Sequence, residues 1–182
     1  MNLWALPTTH TINGTKYDLN TDYRDILEII EQLNNDANPE VIRWRIAVAL
    51  FYEQDVPEIH MQKAMEYLGE FISAGATEEK PAPKLLDWKQ DAQMIVSGVN
   101  KVAGKEIRAL KYMHWWTFIS LFHEIGEGQL SAIVSIRLKR ATGKKLEKWE
   151  QEYYNEHRDR VDFQKPVDPE DEAIKAYFAK WL

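Results

Sequence analysis

Residues 112–126 read Tyr-Met-His-Trp-Trp-Thr-Phe-Ile-Ser-Leu-Phe-His-Glu-Ile-Gly. Wound at about 100° per residue, Thr117, Ser120, Glu124 and Glu127 gather on one narrow side. Trp115, Phe118, Ile119, Leu121, Phe122 and Ile125 cover most of the rest. Such a helix buries most of its circumference and belongs at the centre of a helical core. Its two histidines, His114 and His123, fall about 180° apart, whereas histidines that share a metal on one helix sit at i and i+4. They therefore do not share one. His114 lies on the apolar side, where a core histidine bonds a backbone carbonyl, and His123 borders the polar strip.

The same periodicity extends in both directions. Tyr23, Ile26, Leu27, Ile30 and Leu33 form one stripe, capped by Asn20 or Thr21 and stopped in Asn34-Asn35-Asp36. Asn38-Pro39 restarts the chain into a helix apolar nearly all round, Val41 to Phe51, expected to be central. Asp55-Val56-Pro57 opens a third helix, with Met61, Ala64, Met65, Leu68, Phe71 and Ile72 inward and Gly75 at its end. Asp87 caps a fourth that carries Trp88, Ala92, Ile95, Val96, Val99 and Val102 and ends near Gly104. Downstream, residues 129–141 form a helix, Lys145 to about Arg160 a charged one, and Glu170 to Leu182 a short terminal one.

Before all of these, Asn13-Gly14 stands between β-friendly residues, the strongest hairpin signal in the chain. The expected fold is mainly α: a single domain of six to eight helices, residues 1–165, with a small N-terminal β-hairpin at about 8–19. A mobile loop at about 76–86, with two prolines and no periodicity, and a C-terminal extension at 166–182 complete it.

Seven Trp, eight Tyr and six Phe in 182 residues place much of the stability in aromatic burial, each ring covering roughly 150–250 Å². The absence of cysteine excludes disulfides, thiolate metal sites and cysteine nucleophiles. Met1 to Ala5 do not resemble a signal peptide and no run of about 18 apolar residues occurs, so a cytoplasmic, unanchored protein is expected, with no membrane partner. The net charge of −6 is uneven: residues 1–100 hold 8 Lys/Arg against 16 Asp/Glu, residues 101–160 hold 12 against 8. Opposite halves can attract neighbours in an assembly, a homo-oligomer included, although a solvated surface gives the same count.

No nucleophile elbow, phosphate loop, calcium loop or dinucleotide fingerprint is present, so no catalytic residue, metal ligand or cofactor is assigned and no enzyme is expected. Arg137, Lys139, Arg140, Lys144, Lys145 and Lys148 make a basic run with Trp149 beside it. It could neutralise phosphates, but Glu147, Glu150 and Glu152 interrupt it. A protein-binding or solvated face competes with nucleic acid there, and Arg137, Arg140 and Lys144 are its partner-binding candidates. Trp4, Tyr177, Phe178 and Trp181 are candidates as exposed aromatics, against the alternative that they fold back onto the core.

The segment Tyr112-Met113-His114-Trp115-Trp116-Thr117-Phe118, with a preceding helix that begins Asp87-Trp88-Lys89-Gln90-Asp91-Ala92, resembles the bacteriophage gene product 15 family. Ser135-Ile136-Arg137, the charged helix after Gly143 and Tyr17 to Arg24 match its pattern as well, so the resemblance covers roughly residues 10–160. Tyr112, His114, Trp115, Trp116 and Phe118 are then its core motif. The resemblance implies a protein of long-tailed phages or prophages, from the gene block between tail-tube and tape-measure proteins. Proteins so placed are commonly tail-assembly chaperones that cover the helical tape-measure protein and assist tail-tube subunits; a virion or tail-connector component is the alternative. It carries over no catalytic residue.

Overall fold

The structure is a computed structural model that describes residues 4–74 and 83–164. Strands β1 (Thr9–Ile12) and β2 (Thr15–Asp18) pair antiparallel from Thr9↔Asp18 to Ile12↔Thr15. Asn13 and Gly14 join them with φ of 49° and 86°, the two positive values a type I′ turn requires. Eight α-helices follow among the described residues. They are α1 (Tyr23–Leu33), α2 (Glu40–Phe51), α3 (Glu58–Ile72), α4 (Ala92–Ala103), α5 (Trp115–His123), α6 (Gln129–Ala141), α7 (Lys148–Glu156) and α8 (Arg158–Val161), with a 3₁₀ turn at Ile107–Ala109. The chain is mainly α with one small hairpin, as its periodicity predicts.

A two-stranded hairpin is marginal in water, and this one leans on α3. Tyr17 and Ile12 are buried; the Tyr17 hydroxyl bonds His60 Nδ1 at 2.7 Å, His10 Nδ1 bonds the Tyr52 hydroxyl at 2.8 Å, and His10 stacks on Tyr67 at 3.8 Å.

Two apolar clusters hold the helices. The larger runs from Ile12 through Ile26, Phe51, Phe71 and Trp115 to Leu130. The smaller consists of Ile133, Ile136 and Val161, flanked by Leu146, Tyr153 and Tyr154, and Met94 touches both. At Gly98, α4 comes so near the end of α5 that a Cβ would stand 2.7 Å from Ile125 Cδ1.

The elements depart from expectation where a cap residue has a distant partner. Helix α1 is capped by Asp22, whose carboxylate accepts from the Arg24 amide at 3.0 Å. Asn20 is drawn away to the Leu50 carbonyl and Thr21 to the Tyr112 hydroxyl. Helix α2 is central only in its second half: Ala47, Val48 and Phe51 are buried, while Val41 and Ile42 are 63% and 44% exposed. Asp87 caps a separate turn through the Lys89 and Gln90 amides, and α4 begins only at Ala92 because Asp91 turns inward. The charged helix breaks at His157, which sends α8 back so that Val161 reaches the smaller cluster. The loop expected at about 76–86 lies for the most part outside the described residues, and so does the terminal helix from Glu170.

Asp91 and Arg137 join the two clusters, with side chains 0% and 4% exposed. All five guanidinium N–H groups are used: Nη1 and Nη2 donate to the Asp91 carboxylate at 2.6 and 3.0 Å, and the remaining bonds reach the carbonyls of Leu85, Arg160 and Val161. Arg137→Met leaves a buried carboxylate unpaired and should cost about 3–5 kcal/mol, whereas the double variant Asp91→Leu/Arg137→Met should recover most of that loss. Urea unfolding midpoints measure both; a single variant as stable as the parent would refute the role given to the pair.

Candidate partner-binding surface

The segment around His114 is occupied with holding the fold. Its strand-like start lies beside Thr21–Arg24: the Tyr23 amide donates to the Met113 carbonyl, the Trp115 amide to the Thr21 carbonyl, and the Met113 amide to Asp22. Arg24 adds bonds to the Leu110 and Lys111 carbonyls, and Tyr23 stacks on Phe118 at 4.7 Å. His114 Nδ1 accepts from the Trp116 amide at 3.0 Å and caps α5, while Nε2 faces the Pro7 carbonyl at 3.0 Å. A carbonyl only accepts, so Nε2 carries the proton and the ring is neutral.

The two indoles finish a different helix. The last four carbonyls of any helix lack intrahelical partners. In α3, Gly69 and Glu70 are served by the Ser73 amide and hydroxyl, Phe71 by the Ala74 amide and Trp116 Nε1, and Ile72 by Trp115 Nε1. Trp115 and Phe118 are buried and Trp116 partly so. Tyr112, grouped with them in the motif, is 54% exposed, and its hydroxyl bonds that of buried Thr21.

The basic run is not one surface. Arg137 is buried on Asp91 and cannot meet a partner, because its charge is spent inside. Lys139 clasps the buried Glu150 with two bonds of 2.7 Å, and the Arg140 guanidinium pairs with Asp162 over the Tyr154 ring. Burial pushes the Glu150 carboxyl up, but the Lys139 ammonium and the Glu147 amide more than offset it, and the net shift is downward. Lys144, Lys145 and Lys148 remain exposed beside Trp149, which is 52% exposed. Trp4 is exposed; Tyr177, Phe178 and Trp181 lie outside the described residues.

The histidines do not converge on carboxylates. His60 is buried on Tyr17 and His123 is exposed. Among the described residues no group of three or more His, Cys, Asp or Glu is placed to hold a metal ion, and no helix is long and apolar enough to cross a membrane. Two open surface cavities lie between helices. One of about 320 Å³ lies between α4 and the α5–α6 junction, lined by Met94, Gly98, Val102, Ile125 and Leu130. Another of about 300 Å³ lies where α2 ends and α3 begins, over Val48, Val56 and Met61. Ile59 in the first turn of α3 and Val41 in the first turn of α2 are 82% and 63% exposed. These surfaces had no local signature, since a cavity depends on which helices meet.

The motif residues are thus engaged internally, within a helical scaffold that leaves apolar side chains exposed elsewhere. The family model described as Bacteriophage Gp15 protein matches residues 4–163, and the chain belongs to that family. No curated protein and no solved structure matches it.

Burial lowers the proton affinity of His114, partly opposed by the Pro7 carbonyl, and lowers that of His10, partly opposed by Glu70. A proton on His114 Nδ1 would also point at the Trp116 N–H and remove the cap. Both groups bind protons more readily unfolded, so their stabilisation is full above about pH 6.5 and is lost as pH falls below it. The melting temperature should therefore drop between about pH 7.5 and 5.5. His114→Asn keeps an N-cap acceptor and should show a shallower drop; equal slopes would contradict this account.

Proposed function

We propose that this phage protein is a non-enzymatic tail-assembly chaperone that binds the tape-measure protein, tail-tube subunits or both during tail morphogenesis. Family membership suggests a structural or morphogenesis protein of a phage, and the observation that carries the finer reading is the apolar surface. Val41, Ile42 and Ile59 stand exposed on α2 and α3, and the α4 cavity is floored by Met94, Val102, Ile125 and Leu130. A tape-measure protein is long and helical, and an amphipathic helix lays its apolar face into a groove of this kind. Exposed apolar area of this sort marks interaction sites.

The buried state of the motif supports a non-catalytic reading. Its histidine caps a helix and its indoles finish another, which leaves no free acid–base or nucleophilic pair there. The competing reading is a virion or tail-connector protein retained in the particle; the uneven charge, which favours docking between copies, fits it as well.

Mass spectrometry separates the two. A chaperone is abundant in the lysate of infected or induced cells, absent from purified particles, and co-purifies with the tape-measure protein when both are expressed together. This chain at tube-like copy number in purified particles would overturn the chaperone reading.

A further inference from the structure

We propose that Trp149 of one copy seats in the cavity between α2 and α3 of a second copy, joining copies head to tail. Trp149 stands in the first turn of α7, half exposed, although the next residue, Glu150, is almost wholly buried. The position is rigid: the Lys139–Glu150 clasp and the bond from the Glu147 amide to Glu150 fix that turn. A large aromatic held out to solvent on a fixed backbone is the commonest anchor of protein interfaces.

Its surroundings are cationic. Lys144 and Lys145 form no ion pair among the described residues, and Lys148 has only a 4.0 Å contact with Glu152. The cavity has the opposite character. Its apolar floor is Val48, Val56 and Met61, and Glu53 and Asp55, neither in an ion pair among the described residues, stand at its rim. Arg45 lines it too, with its guanidinium held by both oxygens of Glu58 at 2.7 Å. About 300 Å³ is room for one indole.

Knob and socket lie on different parts of the molecule. Helix α7 packs on α6 and α8, whereas α2 packs on α1 and α3. A surface feature that fits a socket elsewhere on the same molecule makes a heterologous contact, which closes into a ring or continues as a chain. The uneven charge of the sequence is the long-range counterpart of this pair, since the socket lies in the −8 half and the knob in the +4 part. The inference does not rest on the chaperone reading, because a ring or chain serves a connector equally.

The test is sedimentation velocity on the full chain, the Trp149→Ala variant and the Glu53→Lys/Asp55→Lys variant, with circular dichroism as the control for folding. The parent should gain mass with concentration, less so at high salt. Each variant alone should associate on the order of thirtyfold more weakly, the change expected of a hot-spot residue. An equimolar mixture should form dimers and nothing larger, because Trp149→Ala keeps its socket and the double variant keeps its knob. A parent that stays monomeric, a mixture that stays monomeric, or a mixture that assembles as far as the parent would overturn the proposal.

Discussion

The buried pairing of Arg137 with Asp91 is the constraint on which the rest depends. Two charges taken from water lose several kcal/mol of hydration each, and their attraction recovers this only if every remaining donor is satisfied. Here the carboxylate takes two of the five guanidinium bonds, and three carbonyls from two chain segments take the others. Phe163 covers the guanidinium face at 4.2 Å. The smaller apolar cluster has only Ile133, Ile136 and Val161 fully buried, too little to hold three helices against their chain entropy. The ion pair fixes where α6 and α8 meet the start of α4, and Met94 then continues the apolar contact.

A second interlock joins Thr21–Arg24 to residues 110–118. Both interlocks are made from the segments that resemble the phage family: Asp22-Tyr23-Arg24 meets the Tyr112–Phe118 block, and Asp91 meets Arg137. The segments that identify the chain are thus paired across the fold. Their presence together says that the fold is kept, and says little about what it binds.

That division explains what could be read from residues alone. Helices whose order depends on local periodicity, α1, α3 and α6, and the Asn13-Gly14 turn stood out, because hydrophobic spacing and turn chemistry act within a few residues. Starts and stops shifted where a capping side chain was recruited from afar, as with Asn20, Thr21 and Asp91. The basic run misled for the same reason. Arg137 looks like its neighbours until Asp91, 46 residues earlier, is brought against it, and no spacing rule encodes that meeting. The indoles are similar: nothing local tells that Trp115 and Trp116 will close the last carbonyls of α3.

With the motif spent on internal bonds, recognition has to come from side chains the fold does not need. Trp149 makes the contrast plain: its neighbour Glu150 is almost wholly buried and fixed by three bonds from Lys139 and Glu147, while the indole gains little from the fold. An exposed indole costs solubility without adding stability unless something covers it. Lys144 and Lys145 raise the same point electrostatically: neither is in an ion pair among the described residues, and an approaching acidic surface would relieve their mutual repulsion. The acidic rim at Glu53 and Asp55 has the converse need. An indole beside exposed lysines and an acidic rim over apolar side chains are complementary in charge and in polarity, and complementary sites of that kind favour assembly.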